Sequence, residues 1–300
     1  MGPILRFKTK RIVVILVFIA TITTLVGPYI FVHFPRTCIP YVDPIHQTGR
    51  PISSSPSTST ATDNNNYNSI HGYQDPRIII LSGQVCTNPD PNSKCRQLGQ
   101  VSHHNRREYI AHHQGRYDLW DTNIAHYFEQ VKAVGAVPAW AKIKMIKDEL
   151  AKDEHDWIFW MDTDALIANM DIRLEQFIDN RHPLIVTKDW YCLNAGVFFI
   201  KNDDWSREFI DLVWSKMGPY DHEQDWMIAT LERHPELKEQ EKVKYLPQCS
   251  FNSYWHMKKL YEMFRPGDFM VHWAAFNWDV QSFKDWQQLR YFKVPSLRSA

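Results

Sequence analysis

Neither sign of charge is in excess in this chain: 34 Lys and Arg residues face 34 Asp and Glu, a formal net charge of +0 at pH 7. No basic stripe interrupts that balance, so a nucleic-acid partner, which needs a concentrated cationic surface, is not expected. No Asn-x-Ser/Thr sequon occurs anywhere, and N-glycosylation of this protein is excluded with it. The five cysteines include no C-x-x-C pair, which argues against a structural zinc site. Charge is missing locally as well, from 21 consecutive residues at 12–32.

That run is long enough to cross a hydrocarbon core at about 1.5 Å per residue. Arg6, Lys8, Lys10 and Arg11 precede it without any acid. The competing reading is a cleaved signal peptide, whose apolar core is usually about 7–15 residues and ends at small residues. Here the run is longer and ends in Tyr29, Ile30, Phe31 and Val32. The expectation is a cytosolic basic tail at 1–11 and an uncleaved signal-anchor helix at 12–33, oriented by the positive-inside rule. Residues 34–75 then read as a flexible lumenal stem. Their Ser/Thr/Pro tract at 53–62 and Asn64-Asn65-Asn66 cannot bury enough apolar surface to offset chain entropy. Residues 76–292 are expected to form one domain, with 293–300 as a short tail. In an oxidising lumen Cys86 and Cys95 could pair across a Pro/Asn/Ser-rich loop, and Cys192 with Cys249, leaving Cys38 beside the membrane.

The most informative stretch lies at 156–168, DWIFWMDTDALIA. Its first half is the pattern of a strand buried on both faces. It ends in Asp162-Thr163-Asp164, and carboxylates there are costly unless something offsets their desolvation. In an extended backbone the two acids would project to one side, about 6–7 Å apart. A divalent cation suits such a pair. The blander alternative is a solvated surface turn.

Around this stretch the pattern alternates. A strand is predicted over 77–82, a helix over 103–114, a strand over 117–120, a helix opened by Pro138, and the strand at 156–161. Such alternation implies an α/β domain with a mostly parallel, Rossmann-like sheet flanked by helices and ligands at the strands' carboxyl ends. Further on, strands are predicted at 184–188, 195–200 and 269–272 and helices at 204–217 and 222–233. Residues 244–267 read mostly as loop.

Six stretches then stand in a telling order: Asn105…Tyr109…His113-Gln114-Gly115-Arg116-Tyr117; Pro138-Ala139-Trp140-Ala141-Lys142; Trp160-Met161-Asp162-Thr163-Asp164-Ala165; Leu193-Asn194-Ala195-Gly196-Val197-Phe198 with Asn202 and Trp205; His222-Glu223-Gln224-Asp225; and Gly267-Asp268-Phe269-Met270-Val271-His272. Their spacing resembles glycosyltransferase family 34, which includes fungal α-1,2-galactosyltransferases and α-1,6-mannosyltransferases and plant xyloglucan xylosyltransferases. The resemblance implies a GT-A fold and a Golgi type II membrane enzyme. Such an enzyme moves a hexose, galactose or mannose, from UDP-galactose or GDP-mannose to a glycan on a glycoprotein or polysaccharide, with retention. The anchor and stem agree with that plan, which also accommodates homo- or hetero-oligomers with other glycosyltransferases.

Carried over by position, Asp162, Asp164 and His272 match the family's metal ligands. Two carboxylates and one imidazole suit Mn²⁺ better than Ca²⁺, and nothing in the set excludes Mg²⁺. Lys142 matches a point charge on the donor diphosphate. Asn194 and Gly196 match a loop facing the donor sugar, Gly196 permitting close backbone approach. Gln224 and Asp225 match the catalytic face, and Asn105 and Arg106 are further donor-side candidates. No general base stands out, in keeping with the front-face route usually proposed for retaining GT-A enzymes. After His272, Ala275 and Phe276 replace the family's small Gly-Cys turn, which leaves a catalytically silent lectin or scaffold subunit as the alternative. A phosphatase-type hydrolase is disfavoured, because Leu166 stands where that chemistry needs Thr or Val.

Overall fold

The computed structural model describes residues 75–189, 193–219, 221–255 and 263–274. The expected tail, anchor and stem, the turn at Ala275 and Phe276, and Cys38 and Cys192 of the cysteine pairings lie outside these residues. No described helix is long and apolar enough to cross a membrane.

A six-stranded sheet forms the centre. Its strands are β1 (Ile78–Gln84), β2 (Asp118–Asn123), β3 (Trp157–Met161), β5 (Leu184–Lys188), β6 (Leu193–Lys201) and β7 (Val243–Leu246), in the order β2-β1-β3-β6-β5-β7. β1 runs parallel to β2 and β3, and β5 parallel to β7, whereas β6 is antiparallel to both its neighbours. The central strands β3, β6 and β5 are nearly continuous apolar runs because both their faces are covered, whereas the edge strands β2 and β7 carry polar residues. Successive side chains of a strand point to opposite faces. Ile158 and Trp160 of β3 accordingly join one core, with Trp140, Ile143 and Phe209. Trp157, Phe159 and Met161 join another, with Tyr109, Phe251 and Phe269. Phe159 stacks on Phe199 with ring centroids 4.2 Å apart.

Helices α2 (Ala125–Lys132), α3 (Trp140–Lys152), α4 (Asp204–Trp214) and α5 (Glu223–Arg233) supply the first core. α1 (Lys94–His112) supplies Tyr109 to the second, and α6 (Glu239–Lys242) is a single short turn. α1 begins nine residues before the predicted start at 103. In the nine added residues the buried positions are Leu98, Gly99 and Ser102, so the apolar periodicity that marks a helix is carried there by one large side chain. The loop expected at 244–267 contains most of β7 and also β8 (Ser253–Tyr254), both too short to show a period. The Cys86–Cys95 disulfide forms as expected, with Cα atoms 5.7 Å apart.

A smaller sheet completes the fold. β4 (Ala165–Ile167), β9 (Met270–His272) and β8 lie in the order β4-β9-β8, with Ala165 opposite His272 and Tyr254 beside His272. The Asp-Thr-Asp stretch itself is not extended as predicted. It is the turn between β3 and β4, closed by Ala165 N donating to Asp162 O at 3.1 Å.

Candidate active site

The turn after β3 and the end of β9 meet because β4 pairs with β9. Trp273 N donates to Asp164 O at 3.0 Å, and His272 Nε2 comes within 3.3 Å of Asp164 Oδ1. One ligand atom each from Asp162, Asp164 and His272 lies within 4.8 Å of the others. The imidazole is buried, whereas the carboxylates of Asp162 and Asp164 stay 32% and 21% exposed. The cluster is thus held from below and open above.

Each ligand candidate is fixed by a neighbour. Trp160 Nε1 donates to Asp162 Oδ1 at 2.7 Å, and Lys142 Nζ lies 3.1 Å from the same oxygen. His272 Nδ1 is 2.7 Å from Asn252 Oδ1, and Asn252 Nδ2 in turn donates to Thr187 Oγ1 at 2.9 Å. A carbonyl oxygen only accepts, so Nδ1 carries a proton, and Nε2 is the nitrogen turned toward the cluster, where it could offer its lone pair to an ion. The ring lies over Gly196, where an added Cβ would sit 2.4 Å from His272 Cε1. The close approach at Gly196 is therefore made by an imidazole. With Asp162 and Asp164, Nε2 completes a donor set of two carboxylates and one imidazole that fits a borderline divalent ion.

Lys142 is buried on α3 and its ammonium is fully engaged. It donates to Ala195 O at 2.8 Å and to Glu223 Oε1 at 2.9 Å, with Asp162 as its third neighbour. Burial alone would lower its pKa, but the charges of Asp162 and Glu223 outweigh that and hold it above the usual lysine range. Burial pushes Glu223 up, and Lys142 reverses this and holds it below the ordinary glutamate value. Where the sequence suggested a charge on the donor diphosphate, the structure has a lysine whose three protons are taken by protein acceptors. Burial also drives Asp162 upward, opposed by Lys142 and aided by the like charge of Asp164, while the imidazole of His272 overcomes burial to hold Asp164 low. Two carboxylates so close resist joint ionisation unless a cation joins them.

The remaining candidates divide into two groups. Gln224 and Asp225 stand at the start of α5. Gln224 Oε1 accepts from Ala195 N at 2.8 Å, and Asp225 is exposed. Asn194 Oδ1 accepts from Gly196 N at 2.9 Å, and its Nδ2 reaches Asp189 Oδ2 at 3.0 Å and the Tyr254 hydroxyl at 2.7 Å. Asn194 and Gln224 thus hold the 194–196 segment against which the His272 ring lies. Asn105 and Arg106 instead sit beneath the metal cluster, wholly buried. Asn105 grips β4 through two bonds, Nδ2 to Ile167 O at 2.9 Å and Ile167 N to its Oδ1 at 2.8 Å. Arg106 bonds Asp121 and the main-chain oxygen of Asp162, each at 2.9 Å. They shape the floor from buried positions. Trp160 and Glu223 stand in the motif stretches without a role of their own, and Asn252 and Tyr254 were not singled out by sequence. Only Glu223 left a signal, as an acid in the first turn of a helix where the dipole favours one.

The chain is similar to a known family, to two curated relatives and to a solved structure. The model of the galactosyl transferase GMA12/MNN10 family matches residues 74–184 and 177–278. The chain is 39% identical over 90 residues to a probable glycosyltransferase 7 of rice, Oryza sativa subsp. indica, covering 27% of this chain and 20% of the rice protein. It is 25% identical over 242 residues to an alpha-1,2-galactosyltransferase of Schizosaccharomyces pombe, covering 67% of this chain and 62% of that one. The matched segment thus spans a fifth of the rice relative and under two thirds of the yeast one. A crystal structure of a glycosyltransferase involved in the glycosylation of the major capsid of PBCV-1 superposes with TM-score 0.50 at 17% identity, covering 71% of this chain and 100% of that one. That likeness concerns the fold, which is GT-A-like.

Proposed function

The chain belongs to the galactosyl transferase GMA12/MNN10 family, the family its motifs resemble, and from that premise we propose that it is a metal-dependent hexosyltransferase. On this reading it moves galactose or mannose from a nucleotide sugar, UDP-galactose or GDP-mannose, to a glycan with retention. One observation supports it above the others. Asp162, Asp164 and His272, the last 108 positions beyond Asp164, bring their ligand atoms within 4.8 Å of one another beside the carboxyl end of β3.

Asp162 Oδ2, Asp164 and His272 Nε2 would hold the ion, Mn²⁺ by donor softness and Mg²⁺ as a substitute. When bound, such an ion supplies Lewis-acid neutralisation of the charge that gathers on the leaving diphosphate. Lys142 holds the Asp162 carboxylate and Glu223 in register from below. Gln224 braces Ala195, which keeps the Asn194–Gly196 segment at the donor sugar. Asp225, exposed at the start of α5, offers a carboxylate to the oxocarbenium-like state. Placement in the Golgi membrane as a type II protein is part of the proposal and rests on the uncharged run at 12–32 and the basic residues before it.

The test is to incubate the full chain with UDP- and GDP-hexoses, a glycan acceptor panel and Mn²⁺, following free nucleoside diphosphate and the anomeric configuration of the product. One donor should be consumed, giving an α-linked product, and D164N or EDTA should abolish turnover. Turnover that survives both would overturn the metal assignment. No donor consumption in the presence of sugar binding would favour the silent-lectin alternative. Protease added to intact vesicles should spare the domain if it is lumenal.

A further inference from the structure

We infer that Asn252 is a positioning residue for the metal site: its carbonyl fixes the His272 imidazole in the one tautomer that turns a bare nitrogen toward Asp162 and Asp164. The inference rests on the reading of those three residues as ion ligands. Asn252 touches none of the reacting groups itself. It is wholly buried and lies in the short connection before β8, the strand that runs beside β9.

The argument starts from what an imidazole can do. Each neutral ring has one N–H and one lone pair, and which nitrogen carries which is set by the neighbour of the other. Asn252 Oδ1 sits 2.7 Å from Nδ1. On the far side of the amide, Nδ2 donates to Thr187 Oγ1 at 2.9 Å. Thr187 is itself wholly buried near the end of β5, so a strand of the main sheet anchors the amide. The ring cannot evade this partner by rotating. Gly196 lies against Cε1, with no room even for a methyl group, and Tyr254 meets the ring at 5.7 Å in an edge arrangement. Held at one edge, beneath and at its side, the imidazole has a single free nitrogen. That nitrogen, Nε2, is 3.3 Å from Asp164 Oδ1. A buried amide that ties a ligand histidine to a second strand is the outer-shell arrangement that sets ligand orientation at metal sites.

The experiment measures Mn²⁺ binding by the full chain, following the electron paramagnetic resonance signal of free Mn²⁺, with the melting of the ion-free protein recorded in parallel. Asn252→Ala should weaken binding by about 10–100-fold. Asn252→Asp keeps an oxygen that accepts the Nδ1 proton and should bind within about threefold of wild type. A merely structural asparagine would move the melting curve of Asn252→Ala and leave its Mn²⁺ binding unchanged, which overturns the inference. So does an Asn252→Asp variant that melts normally yet binds as weakly as Asn252→Ala. A second measurement needs no variant. With ring-¹⁵N histidine and ¹¹³Cd²⁺ in the wild-type site, the cadmium-coupled nitrogen should be Nε2 and the protonated one Nδ1. Coupling through Nδ1 refutes the assignment even if Asn252→Ala fails to fold. Failure of the underlying reading looks different, since wild type would then bind no Mn²⁺ or bind it equally well as D164N.

Discussion

Lys142→Met is the most demanding single perturbation of this site. The ammonium it removes serves Ala195 O, Glu223 and Asp162 at 2.8, 2.9 and 3.1 Å. Methionine fills nearly the same volume, so the loss is of charge and hydrogen bonds more than of packing. Glu223, 5% exposed, is then a buried carboxylate without its counter-ion, and breaking a buried pair from one side costs about 3–5 kcal/mol. At about 2–4 °C per kcal/mol for a domain of this size, melting should fall by roughly 6–20 °C. Scanning calorimetry of the full chain at pH 7 reads this directly. The pair K142M/E223Q replaces the stranded carboxylate with a neutral amide. It should be more stable than the sum of the single losses predicts, with a coupling energy of about 1–3 kcal/mol. The pH dependence has a sign. Glu223 is held below its ordinary 4.5, so its stabilisation is present above that value and lost as pH falls through the lowered one. Lys142 is held above 10.5, so its share is present throughout neutral pH and fades only in strong alkali. Wild type should therefore lose this increment only in acid, whereas K142M should lack it at pH 7 already. A K142M protein melting within about 2 °C of wild type, or strict additivity in the double variant, would refute the account of Lys142 as a buried clamp.

Three other substitutions separate roles that the sequence left together. Gly196→Ala places a Cβ 2.4 Å from His272 Cε1; it should lower stability by about 1–3 kcal/mol and weaken Mn²⁺ binding without replacing a ligand, and unchanged titration would show that the ring can step aside. Asn105→Ala removes both bonds to Ile167 and should cost about 2–4 kcal/mol while the KM for the donor stays as in wild type; a raised KM with normal melting would return Asn105 to the donor site. Cys86→Ser opens a disulfide that closes a nine-residue separation, for which chain entropy predicts about 2–3 kcal/mol; a denaturant midpoint equal to wild type would mean the loop is held by its other contacts.

The centre of the fold was readable because five buried residues in a row, Trp157 to Met161, admit little but a doubly covered strand. Its neighbours followed from the same arithmetic of alternation. What stayed hidden was either too short to have a period or buried through polar contacts. The three residues of β4 and the two of β8 are invisible to any window. Without β4 nothing in the sequence places His272 beside Asp164, and only the resemblance did so. The first half of α1, residues 94–102, was missed for a different reason: Leu98 and Val101 are its only large apolar residues, Gly99 lowers its helix propensity, and Ser102 is polar yet buried because its hydroxyl donates to the main-chain oxygen of Thr163. Glu223 shows the limit most plainly. It reads as an acid favoured by the dipole at a helix start, and its burial depends on a lysine 81 positions earlier.

The same lysine joins two parts of the site that a residue-by-residue reading keeps separate. Asp162, Asp164 and Glu223 gather three carboxylates around one ammonium, which leaves two negative charges when His272 is neutral. A divalent ion matches that excess and a monovalent one does not. Lys142 is shared: one of its protons faces the metal-side carboxylate, another faces Glu223, and the third holds Ala195 O. Ala195 N is held in turn by Gln224, the neighbour of Glu223. If an ion draws Asp162 toward itself, the ammonium is freer to bind Glu223 and Ala195, and the start of α5 tightens against the Asn194–Gly196 segment. Lys142 thereby ties the carboxylate that would hold an ion to the start of α5, where Gln224 and Asp225 stand.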